Sequence, residues 1–178
     1  MQLLLPAPIL QRLQLELRKA GRREIGGLLM GEHVQGDVFR LVDLTVQRSG
    51  GTAACFIRHP HEHQAELDAF FERTGADYKR FNYLGEWHSH PSFPPAPSQT
   101  DANTMQSIVT DPSVGANFLI LLIVKCGSRQ TMQMSATAFR PLVPPIEAHV
   151  TIEGSATPPT APRLAVLRWF DRLFNRRL

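Results

Sequence analysis

A pair of histidines with two spaced partners constrains this chain more than any other feature of its sequence. The pair is His88-Ser89-His90, and Ser98 and Asp101 follow it. Side chains at i and i+2 project from the same face of a strand, so His88 and His90 can direct two imidazole nitrogens at one metal ion. Asp101 can supply a third ligand from a neighbouring segment, which leaves the fourth tetrahedral position open to water, as in catalytic zinc sites. The chain must then fold so that these two segments meet.

The sequence around these residues predicts a strand, a stiff connection and a helix. Residues 83–88 are predicted as a strand, and residues 91–97 contain four prolines, whose fixed φ angles suit a connection that holds one metal-binding segment against another. Residues 99–110 are predicted as a helix, and Ser98-Gln99-Thr100-Asp101 is also typical of a capping box. A capping role explains the presence of Ser98 without any catalytic role. The two interpretations are compatible, because a helix start is a fixed place from which Asp101 can reach a metal.

Hydrophobic periodicity predicts a mixed α/β fold. Amphipathic helices are predicted over residues 6–19 and 61–78. Residues 117–125 are almost continuously apolar, as expected for a strand covered on both faces. Further strands are predicted over residues 25–31, 38–46, 53–58, 83–88 and 131–140. The order of these elements indicates a central sheet flanked by helices.

Composition divides the chain into three parts. Residues 1–140 are enough for one packed domain, which we interpret as catalytic. Residues 141–162 are proline-rich and predict a linker, and residues 163–178 predict a basic amphipathic helix. That last segment holds five arginines and one aspartate, so the positive net charge of the chain arises there. A charge confined to the tail argues against a nucleic-acid groove spread over the domain.

The sequence predicts a cytoplasmic protein that does not enter a membrane. No apolar run approaches the ~20 residues that span a bilayer. Residues 1–6 lack a basic leader, a sustained apolar core and a cleavage site. The two cysteines, Cys55 and Cys126, are too few and too far apart for a disulfide framework or a Cys-x-x-Cys zinc site. The histidine pair therefore stands as the candidate metal site.

The joint pattern His-x-His-x7-Ser-x2-Asp, with Glu24 upstream, resembles the JAMM motif of the Jab/MPN metallopeptidases. All five positions match, residues 83–91 also look similar to that family, and the resemblance covers residues 9–140. It implies an MPN, cytidine-deaminase-like α/β fold with a central mixed β-sheet flanked by helices. The implied cofactor is one zinc ion per chain, held by His88, His90 and Asp101. The Pro-Cys-x-x-Cys ligand pair of the zinc deaminases is absent, which argues against deamination.

The resemblance also implies how such a site works. Glu24 matches the family's general base, and Ser98 matches the residue that donates a hydrogen bond to the developing oxyanion. Zinc lowers the pKa of a bound water to about 7. The implied activity is zinc-dependent cleavage, by an isopeptidase or peptidase, after the C-terminal tail of ubiquitin or a ubiquitin-like protein, in deconjugation or precursor processing.

The small size of the chain makes it similar to prokaryotic members of the family, including those encoded in bacterial antiviral operons of the Bil and CBASS kinds. Such a setting implies a ubiquitin-like protein or its conjugates as the substrate. It also implies E1-like and E2-like pathway proteins as partners. A related alternative is the trimming or release of a sulfur-carrier protein with a ubiquitin fold.

Alternatives of other classes remain. One is a non-catalytic MPN scaffold or adaptor that binds partners through its surface and basic tail, although the complete set of ligands argues against it. Another is a nucleic-acid or membrane adaptor built on the tail, where Trp169, Phe170 and Phe174 stand among arginines. A weaker candidate for a second metal is the group His59, His61 and His63. These histidines lie at a predicted loop-to-helix junction, and no acid or thiol stands at an established ligand spacing.

Overall fold

Helices are interspersed among the strands of the computed structural model, which describes residues 1–52, 59–127 and 131–154. The strands are β1 (Gln2–Pro6), β2 (Gly26–Gln35), β3 (Val38–Leu44), β4 (Phe81–Ser89), β5 (Leu119–Cys126), β6 (Met132–Arg140) and β7 (Val143–Glu153). The helices are α1 (Ala7–Ala20), α2 (Gln64–Arg73), which follows a short 3-10 turn at Pro60–Glu62, and α3 (Gln99–Thr110). No helix in these three described stretches is both long enough and apolar enough to cross a membrane.

The described strands form a mixed sheet that closes on itself as a barrel, in the order β1-β3-β2-β4-β5-β6-β7. Strand β1 closes the sheet, because it pairs in parallel with both β3 and β7. Strands β4 and β5 are also parallel, and the remaining neighbours are antiparallel. The predicted mixed α/β class is confirmed. The predicted central sheet is corrected to a closed barrel.

Strand β5 is buried on both faces, as its continuous apolar sequence predicts. On one face, the buried residues of β5 and α1 belong to the same cluster: Ile120, Leu122, Val124, Leu13 and Leu17. On the other face, the buried residues of β5 and α3 form a second cluster: Leu119, Leu121, Ile123, Met105 and Val109. Burial of apolar surface is worth roughly 25 cal/mol per Å². These two clusters therefore fix α1 and α3 against opposite faces of one strand.

Strand β4 is packed tightly along the residues that lead to the histidine pair. Trp87 is completely buried, and its indole Nε1 donates a hydrogen bond to the carbonyl oxygen of Thr45 at 2.9 Å. Gly85 has a φ of 139°, and a Cβ at this position would lie 2.0 Å from the carbonyl oxygen of Ile120 in β5. Only glycine permits this backbone conformation and this close approach. The end of β4 is consequently held in a fixed position.

Two strands lie where the sequence analysis predicts none. Strand β1 precedes the predicted first helix, and β7 occupies residues 143–153 of the predicted linker, so the linker prediction is wrong over that stretch. The prolines of β7, Pro144 and Pro145, lie at a register shift between β6 and β7. Proline is tolerated at such a bulge because it removes no ladder hydrogen bond there. The strand predicted over residues 53–58, the rest of the linker and the helix predicted over residues 163–178 lie outside the described residues.

We predict that removing residues 155–178 leaves the domain folded, because the barrel closes with β7 and needs no later residue for its described contacts. The midpoint of thermal unfolding should change by less than about 4 °C, which corresponds to about 1 kcal/mol for a chain of this size. Circular dichroism melts of the full and shortened chains provide the measurement. The control is truncation after residue 147, which removes most of the β1 pairing and should unfold the protein. If the first truncation also unfolds it, the tail belongs to the core.

Candidate metal centre

The three predicted ligands converge at one point in the fold. The Nε2 atom of His88 lies 3.1 Å from Nε2 of His90 and 3.3 Å from Oδ1 of Asp101. The Nε2 atom of His90 lies 3.8 Å from Oδ2 of Asp101. One potential ligand atom from each residue lies within 4.8 Å of the other two. The sequence prediction that these residues meet is therefore confirmed in the geometry, while their role as ligands stays a prediction.

The two histidines occupy the end of β4, between two neighbouring strands. His88 is opposite Gly26 of β2 and opposite Ile123 of β5. One residue beyond the strand, the backbone N–H of His90 donates to the carbonyl oxygen of Val124 at 2.9 Å. Both histidines are 8% exposed. The rings are consequently shielded from solvent and held at the end of β4, between β2 and β5.

A backbone carbonyl determines which nitrogen of His90 can bind a metal. The Nδ1 atom of His90 lies 3.0 Å from the carbonyl oxygen of Pro94. A carbonyl only accepts hydrogen bonds, so the proton of the neutral ring resides on Nδ1 and the lone pair remains on Nε2. Metal-binding histidines ordinarily donate their other ring N–H in this way. The Nε2 atom that faces His88 and Asp101 therefore carries the lone pair with which His90 could bind a metal.

Asp101 is both a capping residue of α3 and a neighbour of the histidines. Its Oδ2 accepts from the backbone N–H of Ser98 at 2.7 Å, and Oγ of Ser98 accepts from the backbone N–H of Asp101 at 3.2 Å. The predicted capping box is thereby confirmed. Burial acts to raise the pKa of Asp101, but hydrogen bonds from His88 and Ser98 outweigh it and hold that pKa well below its usual range. Asp101 is thus a carboxylate at neutral pH, as a ligand requires.

Glu24 faces the same centre from the segment that precedes β2. It is 4% exposed, and its backbone N–H donates to the carbonyl oxygen of Thr52 at 2.7 Å. Gly51 approaches so closely that a Cβ there would lie 1.9 Å from the carbonyl oxygen of Glu24. Burial raises the pKa of Glu24, although His90 and His88 act in the opposite direction. The backbone of Glu24 is therefore fixed beside the histidines, and its carboxyl group lies in a poorly solvated place.

Ser89 joins Glu24 to the histidine pair, and sequence reasoning did not identify this role. Its backbone N–H donates to the carbonyl oxygen of Ile25 at 2.8 Å, and its Oγ accepts from the backbone N–H of Ile25 at 3.0 Å. The serine side chain therefore acts as the acceptor for this N–H at the end of the pairing between β2 and β4. The sequence feature that could have indicated this role is a small hydroxyl residue between the two predicted metal ligands. Its partner depends on strand register, which no local pattern gives.

A cleft of about 580 Å³ opens beside the centre. Its polar lining consists of Glu24, His88, His90, Ser98, Thr100 and Asp101. Its apolar lining consists of Phe93, Pro94, Ala96 and Pro97. Two imidazoles and one carboxylate fit catalytic zinc, which takes three protein ligands and keeps one open position, whereas calcium and magnesium prefer oxygen ligands. The centre can thus place a metal, a carboxyl group and a hydroxyl group around one bound substrate.

The second group of histidines gains no support as a metal site. His63 is buried, and its Nδ1 lies 2.7 Å from Oγ1 of Thr45 while its Nε2 lies 3.2 Å from Oε1 of Gln47. The Nδ1 atom of His59 lies 2.9 Å from Oε1 of Glu62. Within residues 1–52, 59–127 and 131–154, the only group of three or more His, Cys, Asp or Glu residues within ligating distance is His88, His90 and Asp101.

Comparisons with known proteins relate the chain to one family. A family profile described as prokaryotic homologs of the JAB domain matches residues 6–139. A relative from Vibrio cholerae serotype O1, named CD-NTase/cGAS isopeptidase, is 36% identical over 104 residues, which are 57% of this chain and 61% of the relative. The match thus spans less than two thirds of the relative. The solution structure of a Desulfitobacterium hafniense protein has a TM-score of 0.62 at 20% identity, covering 85% of this chain and 93% of that one. This likeness shows a shared fold.

We predict that the purified protein binds about one zinc ion per chain and that His88→Ala, His90→Ala and Asp101→Ala each abolish tight binding, because two ligands hold zinc poorly. Metal content measured by mass spectrometry after dialysis tests this prediction. Asp101→Ala also removes a helix cap, which costs about 0.5–2 kcal/mol. Ser98→Ala is therefore the matched control, since it removes a capping bond and keeps all three ligands. A wild-type protein that takes up no zinc would contradict the metal assignment.

Proposed function

The chain belongs to the family of prokaryotic JAB-domain homologues, and we propose that it is a zinc-dependent isopeptidase that cleaves after the C-terminal tail of a ubiquitin-like protein. One observation carries the proposal: His88, His90 and Asp101 meet in a cleft that Glu24 also lines. A scaffold has no need to keep three ligands and a buried carboxyl group together. The intact centre therefore favours catalysis over the non-catalytic alternative.

Zinc, when bound by His88, His90 and Asp101, supplies Lewis acidity and lowers the pKa of a coordinated water. Glu24 is the group that takes a proton during hydrolysis. Its carboxylate receives a proton from the attacking water and returns it to the amine nitrogen that leaves when the amide C–N bond breaks. The hydroxyl of the water remains on the carbonyl carbon, so that the products are a free carboxylate and a free amine.

Ser98 is placed to stabilise negative charge on the carbonyl oxygen. Its Oγ accepts from the backbone N–H of Asp101, and its side chain also hydrogen-bonds to the carboxylate of Asp101, so the hydroxyl proton must turn from that carboxylate to the substrate oxygen. Ser98 lines the cleft together with Glu24. A hydroxyl proton directed at the developing oxyanion contributes electrostatic stabilisation without any proton transfer. We therefore assign Ser98 as the oxyanion donor and Glu24 as the general base.

The shape and lining of the cleft favour an extended tail of small residues. Phe93, Pro94, Ala96 and Pro97 give one wall that offers mainly apolar contacts. A ubiquitin-like tail must lie extended to present its last carbonyl group beside the ligands, and a terminal glycine avoids collision with the wall. The substrate that we propose is accordingly a ubiquitin-like protein joined through its C-terminal carboxyl group.

The name of the Vibrio cholerae relative connects an isopeptidase with CD-NTase/cGAS enzymes. We extend that connection to this chain as part of the proposal. Its substrate is then a CD-NTase-type protein, or another target in a bacterial antiphage pathway, that carries a ubiquitin-like protein. E1-like and E2-like enzymes of the same pathway would make the conjugate that this chain cleaves.

We predict that Glu24→Gln retains zinc and fold but loses turnover. Glutamine preserves the size of the side chain and removes the proton acceptor, so the rate should fall by roughly 10²–10⁴-fold with little change in substrate binding. Single-turnover cleavage and zinc content are measured on the same samples. Glu147→Gln is the matched control, because Glu147 is an exposed carboxyl group on β7. Near wild-type turnover by Glu24→Gln would mean that another group takes the proton.

The substrate assignment predicts zinc-dependent cleavage of ubiquitin-like fusions. Bacterial ubiquitin-like proteins are joined through their terminal glycine to a lysine side chain of a fluorescent reporter, and release of the reporter is followed. We expect cleavage to stop with a chelator, return with added zinc, and fall when the terminal glycine is replaced by valine. Zinc binding with no cleavage of any ubiquitin-like fusion would favour the scaffold alternative. Cleavage of sulfur-carrier fusions alone would favour trimming of that class.

A further inference from the structure

The proline-rich segment 91–97 lies between the histidines and Asp101 and forms neither a helix nor a strand. Its four prolines have no backbone N–H. Within the segment, the backbone N–H of Ala96 donates to the carbonyl oxygen of Pro94 at 2.8 Å. The segment attaches to the rest of the domain through donors that reach its carbonyl groups from other elements. Two neighbouring carbonyls have such donors. The carbonyl oxygen of Phe93 accepts from Nζ of Lys125 at 2.8 Å, and that of Pro94 lies 3.0 Å from Nδ1 of His90.

Lys125 reaches this segment from β5, the parallel neighbour of β4. Val124 is opposite Ser89 in the pairing of these strands, and its carbonyl oxygen accepts from the backbone N–H of His90. Lys125 is the next residue along β5, and it is partly buried. Its side chain therefore starts from a rigid strand beside the histidine pair and ends on the carbonyl group that precedes Pro94.

We propose that Lys125 is a positioning residue for the metal centre. By fixing the carbonyl group of Phe93, its ammonium group acts together with the backbone N–H of Ala96 to hold the carbonyl group of Pro94 in place to accept the Nδ1 proton of His90. That hydrogen bond leaves the lone pair on the Nε2 atom that faces His88 and Asp101. The inference rests on the proposed function in taking His90 as a zinc ligand. Lys125 itself touches neither the metal nor the substrate.

The sign of the effect on zinc affinity separates positioning from simple electrostatics. Removing a positive charge near a divalent cation weakens repulsion and, by itself, would tighten zinc binding. Losing a group that orients a ligand weakens zinc binding, typically by 10–100-fold for outer partners of metal ligands. Lys125 acts through one further residue and its bond is solvent-exposed, so we expect a loss near the lower end of that range.

The test compares zinc affinities of the full chain by competition with a chromophoric chelator. Lys125→Met keeps the length of the side chain and removes its donors, and it should weaken zinc binding roughly tenfold. Lys125→Arg keeps a charged donor and should lose much less. The control is Lys79→Met, an exposed lysine just before β4, at the opposite end of that strand from His88, and it should leave the affinity unchanged. Thermal melts of the metal-free proteins show whether each variant folds.

Each outcome decides the matter. A loss in Lys125→Met that Lys125→Arg largely restores, with metal-free stability unchanged, supports positioning. An affinity that is unchanged or tighter in Lys125→Met, while the wild type binds zinc normally, overturns the positioning role and leaves the proposed function standing. A weaker affinity in Lys125→Met that comes with lower metal-free stability, or that Lys125→Arg does not restore, assigns Lys125 a structural role and overturns the proposal. Absence of zinc binding by the wild type overturns this inference together with the proposed function.

Discussion

The antiparallel pairing of β2 with β4 is the constraint on which the site depends. It places Gly26 opposite His88 and lets Ser89 bond twice to Ile25, so that Glu24 reaches the histidine pair from a segment 64 residues earlier in the chain. Side chains alternate along a strand, so a slip of one residue would turn every side chain of β2 to the opposite face. The Oγ of Ser89 and the close approach of Gly51 to Glu24 secure the end of this pairing.

The second half of the site follows from the parallel pairing of β4 with β5. Parallel strands need a crossover connection, and here the crossover contains α3. Because α3 packs on one face of β5, its first turn returns to the end of β4, where Asp101 meets His88. Sites in sheets with parallel strands commonly lie at the carboxyl ends of those strands, where the chain leaves the sheet. The apolar sequence of β5 thus positions a carboxylate that is remote from it in the chain.

Features that depend on spacing within one segment could be predicted from the sequence, and features that depend on register could not. The strand that ends at His88 and the helix start at Ser98 are local patterns, and both are present. Strand β7 was missed because its prolines are typical of a linker, and their tolerance at a bulge is visible only once β6 is beside them. The acceptor for His90 was missed for a similar reason. A backbone carbonyl such as that of Pro94 has no signature in the sequence.

Glu24 and Asp101 are carboxyl groups in the same cleft, and their surroundings give them different chemistry. Asp101 receives hydrogen bonds from the backbone of Ser98 and lies beside His88, and these interactions favour its charged form over the opposing effect of burial. For Glu24 the effect of burial prevails, and its pKa rises despite the histidines. A ligand must stay deprotonated, whereas a general base must hold a proton for part of the reaction cycle. The helix cap around Asp101 and the buried position of Glu24 just before β2 therefore support the roles that we propose for them, a metal ligand and a general base.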